Sequence, residues 1–307
     1  MIRSILVPLD GSHFGEQVLP LALDVARRAN ARVELIHVHQ PLEETYAEMQ
    51  VLNATLEERV RANAEEYLSG LVRDLAQRHA GTVTAVVRDG QVATTVREHA
   101  EKTGVDLVAL TTHARGALGR FWMGSTADAL IREVRTPLLL VPPAEKPAAP
   151  AGFKRILIPL DGTPLAEEIL PAATALGRLF EADYTLLRVI QPLFPTEPFP
   201  LGTAGGMAAL ARTEADEAGK IHEQITVEAK TYLEKVAARL RQEGLQVKTR
   251  VAMEGQPARA ILGAADVDLI AMATHGRHGL SRFFRGSVAD KVLRGATAPM
   301  LVQRPRT

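Results

Sequence analysis

Asp10 and Asp161 each end an apolar run, in ILVPLDGS at 5–12 and ILIPLDGT at 156–163, and each is followed by glycine and a hydroxyl residue. A carboxylate at such a place can accept hydrogen bonds from a ribose or an adenine, or it can simply close an Asp-Gly turn. A second pair of segments, THARGALGRFWMGSTAD at 112–128 and THGRHGLSRFFRGSVAD at 274–290, leads through glycines to Gly124-Ser125 and Gly286-Ser287. Glycine lets backbone amides approach an anion closely. A helix start adds unpaired N–H groups and a partial positive charge, worth about 0.3–1 kcal/mol per favourable charge. A phosphate chain fits there. Ser125 and Ser287 serve equally well as helix caps, with Asp128 and Asp290 in the first turn. Between these loops in sequence, His37-Val38 and Arg188-Val189 end a second strand and would flank the same crevice, although core packing explains them as well.

The elements that must position these residues occur twice. Asp10 and Asp161 are 151 apart, as are Val38 and Val189; Gly90 and Gly255 are 165 apart, and Ser125 and Ser287 are 162 apart. The second copy therefore gains residues after its second strand and loses three before its glycine loop, so insertions fall in connections. In each copy, near-continuous apolar strands at 3–9, 32–38, 82–88, 106–111 and 137–141, and at their equivalents 183–189, 246–252, 268–273 and 299–303, alternate with helices. The first helix is read from Ser12 through Val18, Leu21, Ala22, Val25, Ala26 and Ala29. The long helix is read from Leu56, Val60, Ala64, Tyr67, Leu71 and Leu75 in one copy, and from Ile225, Ala229, Leu233, Val236 and Leu240 in the other. This alternation predicts two tandem five-stranded parallel sheets with helices on both faces, at 1–142 and 153–307, joined by a Pro/Ala-rich linker at 143–152. Right-handed crossovers place all strand ends of one copy along one rim, where α/β sheets bind ligands.

Composition narrows the function. The 36 basic and 36 acidic residues cancel, so no net field favours nucleic acid or an anionic membrane, and neither partner is expected. The chain has no cysteine, which agrees with a cytoplasmic, reducing setting. The apolar start before Pro8 is too short for a signal segment, and no run approaches a membrane span. Both the P-loop and the G-x-G-x-x-G patterns are absent. Of the nine histidines, His275 and His278 lack an obvious carboxylate or cysteine partner in the glycine-loop motif, so no metal site is expected. Each copy ends in an apolar strand, PLLLV or PMLVQ, an edge that needs a partner; the two copies could pair these strands as an internal dimer, and two chains could then associate as a homodimer.

The opening V-P-x-D-G-S, the H-V ending of the second strand, and G-x-x-G followed by nine residues and G-S resemble the universal stress protein family, and the resemblance covers nearly all of both copies. It implies a stress-response protein whose strand-end crevice holds adenine nucleotide: ATP, with AMP or ADP as alternatives and Mg²⁺ as the companion of ATP. On that likeness Asp161 and Val189 would hold adenosine, while Gly276, Gly286 and Ser287 hold phosphates; in the first copy the corresponding residues are Asp10, Val38, Gly124 and Ser125. The sequence departs from the motif at Thr111 and Ala114 in copy one and at Ala273 in copy two. Alanine at a position needing positive φ costs on the order of 1 kcal/mol, which makes the second copy the expected tighter binder. Two other function classes stay open on sequence: an interaction module without nucleotide, and a slow ATPase or self-phosphorylating protein acting through Ser125 or Ser287.

Overall fold

The computed structural model of the chain describes residues 1–41, 50–78, 81–112, 124–143, 152–192, 205–264, 266–274 and 288–305. The first half contains β1 (Ser4–Pro8), α1 (His13–Glu16), α2 (Leu19–Ala29), β2 (Arg32–His39), α3 (Gln50–Arg78), β3 (Val83–Asp89), α4 (Val92–Thr103), β4 (Leu107–Thr111), α5 (Ser125–Glu133) and β5 (Leu138–Val141). The second half repeats the order with β6 (Arg155–Pro159), α6 (Pro164–Glu167), α7 (Leu170–Arg178), β7 (Asp183–Ile190), α8 (Gly205–Gln242), β8 (Gln246–Met253), α9 (Pro257–Leu262), β9 (Leu269–Ala273), α10 (Val288–Gly295) and β10 (Met300–Gln303).

The two expected five-stranded parallel sheets are present and join through their last strands into one ten-stranded sheet, ordered β3-β2-β1-β4-β5-β10-β9-β6-β7-β8. Ladders within each half are parallel, and β5 meets β10 antiparallel. Across that join Met300 faces Leu140, Leu301 faces Leu139 and Val302 faces Leu138. Leu139 and Leu301 are duplicate positions, so a pseudo-two-fold axis passes between them. The join satisfies the backbone groups of two apolar edges and removes their leucines from water. A second pair of duplicate positions meets off the sheet, where Arg28 Nη1 donates to the Leu179 carbonyl at 3.3 Å and the guanidinium stacks on Phe180, 4.5 Å from the ring centre. Because the halves run in opposite directions, their carboxyl rims lie at opposite edges of the sheet.

Side-chain alternation along the strands feeds two cores. Ile5 and Val7 of β1 enter the layer beneath α2, α3, α7 and α8, whereas Leu6 enters the layer beneath α4, α5, α9 and α10. Two helix expectations need correction. The helix after Ser12 is broken between α1 and α2, and its duplicate between α6 and α7, because Pro20 and Pro171 lack the N–H that an unbroken helix would bond back a turn earlier. On α3, Leu56 and Val60 are exposed while Ala64, Leu68 and Leu75 are buried, so the periodic stripe continues past the core that it covers.

Candidate functional site

Each carboxyl rim is built around an aspartate that closes a turn. Asp10 Oδ1 accepts from Ser12 N at 3.0 Å and from Ser12 Oγ at 2.6 Å; Asp161 Oδ1 accepts from Thr163 N at 2.9 Å and from Thr163 Oγ1 at 2.7 Å. The same hydroxyls cap the following helices, Ser12 Oγ accepting from Gly15 N at 3.0 Å and Thr163 Oγ1 from Ala166 N at 3.3 Å. Between carboxylate and cap, Gly11 (φ +79) and Gly162 (φ +88) take the left-handed conformation that the reversal requires. The turn reading of both aspartates is therefore realised. It also aims each carboxyl group at the rim, beside the second strand, to which Leu9 N and Leu160 N bond through the carbonyls of Ile36 and Leu187.

Val38 and Val189 end that second strand half-buried against the layer of α4 and α9. On the far side of β1, Thr111 ends β4 buried, its hydroxyl donating to the Gly15 carbonyl at 3.3 Å, so the two loops of copy one are tied together. Gly124 occupies the cap position of α5 (φ −61, ψ 151) without a side-chain capping bond, and Ser125 is the first, exposed residue of the helix. Ser125 is thus not the cap, and the amide end of α5 opens on a glycine. Gly276, Gly286 and Ser287 lie outside the described residues, as do Ala114 and the loop arginines Arg115, Arg120, Arg277, Arg282 and Arg285.

A pair beside each aspartate was not apparent from the sequence. Tyr67 donates to Glu16 Oε1 at 2.8 Å, and Tyr232 donates to Glu167 Oε1 at 3.0 Å. Burial first, then the neighbouring glutamate, pushes both phenols well above the ordinary tyrosine range; Asp10 and Asp161 add to the effect. A tyrosine in an apolar helical stripe reads as core, yet each Tyr–Glu pair recurs under the repeat offsets, a signal that was present in the numbering.

The two rims then diverge. His37 Nδ1 donates to the Leu9 carbonyl at 2.9 Å, folding the ring back on its own strand pair. Its duplicate, Arg188, lies over Gly162: a Cβ added to that glycine would stand 1.9 Å from Arg188 Nη1, whereas one added to Gly11 would meet nothing within 4 Å. The Arg188 guanidinium sits 5.6 Å from the centre of the Tyr232 ring. Glu167 is bound by Arg239 as well as by Tyr232. Among the described residues, no three His, Cys, Asp or Glu side chains gather at metal-binding range, and no helix is long and apolar enough to cross a membrane.

Comparison with known proteins gives a consistent result. A universal stress protein of Mycolicibacterium smegmatis is 27% identical across 98% of this chain and 97% of its own, and one of Staphylococcus haemolyticus is 31% identical over 47% of this chain and 87% of its own. A crystal structure of a universal stress protein from Archaeoglobus fulgidus superposes with a TM-score of 0.71 at 15% identity, covering 98% of each chain. The model of the Universal stress protein family matches residues 1–142 and again 152–304, so the chain belongs to that family as a tandem of two such domains.

Proposed function

We propose that the protein is a cytoplasmic stress protein that binds adenine nucleotide, foremost ATP, at its carboxyl rims, and binds it more tightly in the second half. Asp161 and Val189 would face adenosine, and Gly276, Gly286 and Ser287 the phosphates; Asp10, Val38, Gly124 and Ser125 take the same parts in the first half. The observation that carries this reading is the repeated turn, which holds a carboxylate at the strand end next to a half-buried valine on the neighbouring strand. In the first half the glycine-capped amide end of α5 belongs to the same rim. No residue is assigned as a general base, so the reading is binding without fast turnover.

Calorimetric titration of the full chain with ATP tests it, alongside Gly276→Ala and Ala114→Gly. Removing the second-half glycine is expected to weaken that site by roughly fivefold, the equivalent of about 1 kcal/mol. Equal binding by all forms would remove the ordering of the halves. Absence of binding by every form would remove the nucleotide reading, as would the lack of a thermal shift at 100 times Kd, where about 2.7 kcal/mol of stabilisation is due.

A further inference from the structure

Arg188 is placed as no other cation among the described residues of either rim is. It is half-buried at the end of β7, its Nη1 packs closest against Gly162, and its cationic head contacts the Tyr232 ring. Among the described residues it makes no hydrogen bond or ion pair, although a guanidinium carries five N–H donors. The two carboxylates of this rim are engaged elsewhere, Glu167 by Arg239 and Tyr232 and Asp161 by the Thr163 turn. A partly desolvated guanidinium that bonds to no carboxylate among the described residues gains from an arriving anion, and its fork matches phosphate oxygens.

The first half reverses this charge. Arg188 is replaced by His37, whose ring is turned to the Leu9 carbonyl, and Arg239 corresponds to Asp74 at the repeat offset of 165. The four equivalent positions are thus three carboxylates (Asp10, Glu16, Asp74) and a histidine in one half, and two carboxylates (Asp161, Glu167) and two guanidinium groups in the other. Leaving the histidine uncounted, the formal balance is −3 against zero. At these four positions a polyanion meets carboxylates and a histidine in one half, and two guanidinium groups among the carboxylates in the other.

We propose that Arg188 is a specificity-determining residue, making the second rim selective for the polyphosphorylated form of an adenine ligand over the uncharged nucleoside, a preference the first rim lacks. The inference rests on the nucleotide reading above. An uncharged nucleoside gives the guanidinium nothing in exchange for leaving Gly162, whereas a phosphate chain does.

The test is titration of the full chain, in an Asp10→Ala background that weakens the first rim, with ATP and with adenosine at two salt concentrations. Arg188→His is expected to lower the ATP-to-adenosine affinity ratio about tenfold and to flatten the salt dependence of ATP binding, while Arg188→Lys keeps most of the ratio. Arg188→Gln provides a second neutral variant should the histidine disturb folding. An ATP-to-adenosine ratio unchanged in both neutral variants, with ATP still bound, overturns the role of Arg188 alone. Failure of ATP to bind even the unaltered chain overturns the nucleotide reading, and the selectivity with it.

Discussion

The two carboxyl rims share their backbone and differ in their charge. Each has an aspartate turn through a left-handed glycine, a hydroxyl cap, and a tyrosine on the long helix bonded to a glutamate one short helix away. Over that common frame one half folds a histidine back and leaves space above Gly11; the other lays an arginine on Gly162 and pairs its glutamate with a second arginine. Frame residues are held by turn geometry and by exposed or part-buried hydrogen bonds, so changing any one of them costs stability. The side chains over the glycine touch little else, and there the halves have separated.

The largest test of this equivalence lies at the join. Leu139→Ala and Leu301→Ala should each destabilise the chain by about 2–5 kcal/mol in denaturant titrations, because both are fully buried duplicates facing one another. Matching values support the pseudo-symmetry, and the double variant should be non-additive because the residues touch. Next comes an asymmetry: Tyr184 is fully buried where the first half has Val33, and burial pushes its phenol up to about 12 against a weaker opposing pull from Arg178. The folded pKa is raised, so that stability is complete below the unfolded value of about 10 and is lost as pH rises towards 12. Denaturation midpoints measured across that window should fall less steeply in Tyr184→Phe.

Smaller effects probe the glycine turns. Gly11→Ala and Gly162→Ala each incur about 1 kcal/mol of left-handed strain, but only the second displaces Arg188 from Tyr232, at a further 0.5–1 kcal/mol or about that. Adding Arg188→His to Gly162→Ala should abolish the difference in melting temperature between the halves' variants. Last, Ser12→Ala and Thr163→Ala should cost about 1 kcal/mol each and agree closely, since both hydroxyls hold the same cap and the same aspartate.

The strands, the duplication and the aspartate turns were legible in the sequence because apolar runs ending in Asp-Gly have few alternatives. The PLLLV and PMLVQ edges pointed to an internal pairing, and β5 and β10 make it; local pattern specifies a strand but not which edge it closes on. Periodicity overstated the buried face of α3, since Leu56 and Val60 repeat correctly beyond the reach of the core. Arg188 was read as a strand end flanking the crevice. Its position over Gly162 depends on contacts between β6, β7 and α8, which no sequence spacing encodes. The glycine loops that first drew notice, including Gly276, Gly286 and Ser287, lie outside the described residues.

The antiparallel meeting of Leu139 with Leu301 places both partners of a dimer on one polypeptide. In an assembly of identical chains every substitution is made twice, and a change that improves one pocket alters its twin as well. Here a mutation is single-sided: the arginines of one half never had to be tolerated by the other. A duplicated domain pair on one chain is held at a fixed one-to-one stoichiometry, and either half is free to change without its twin.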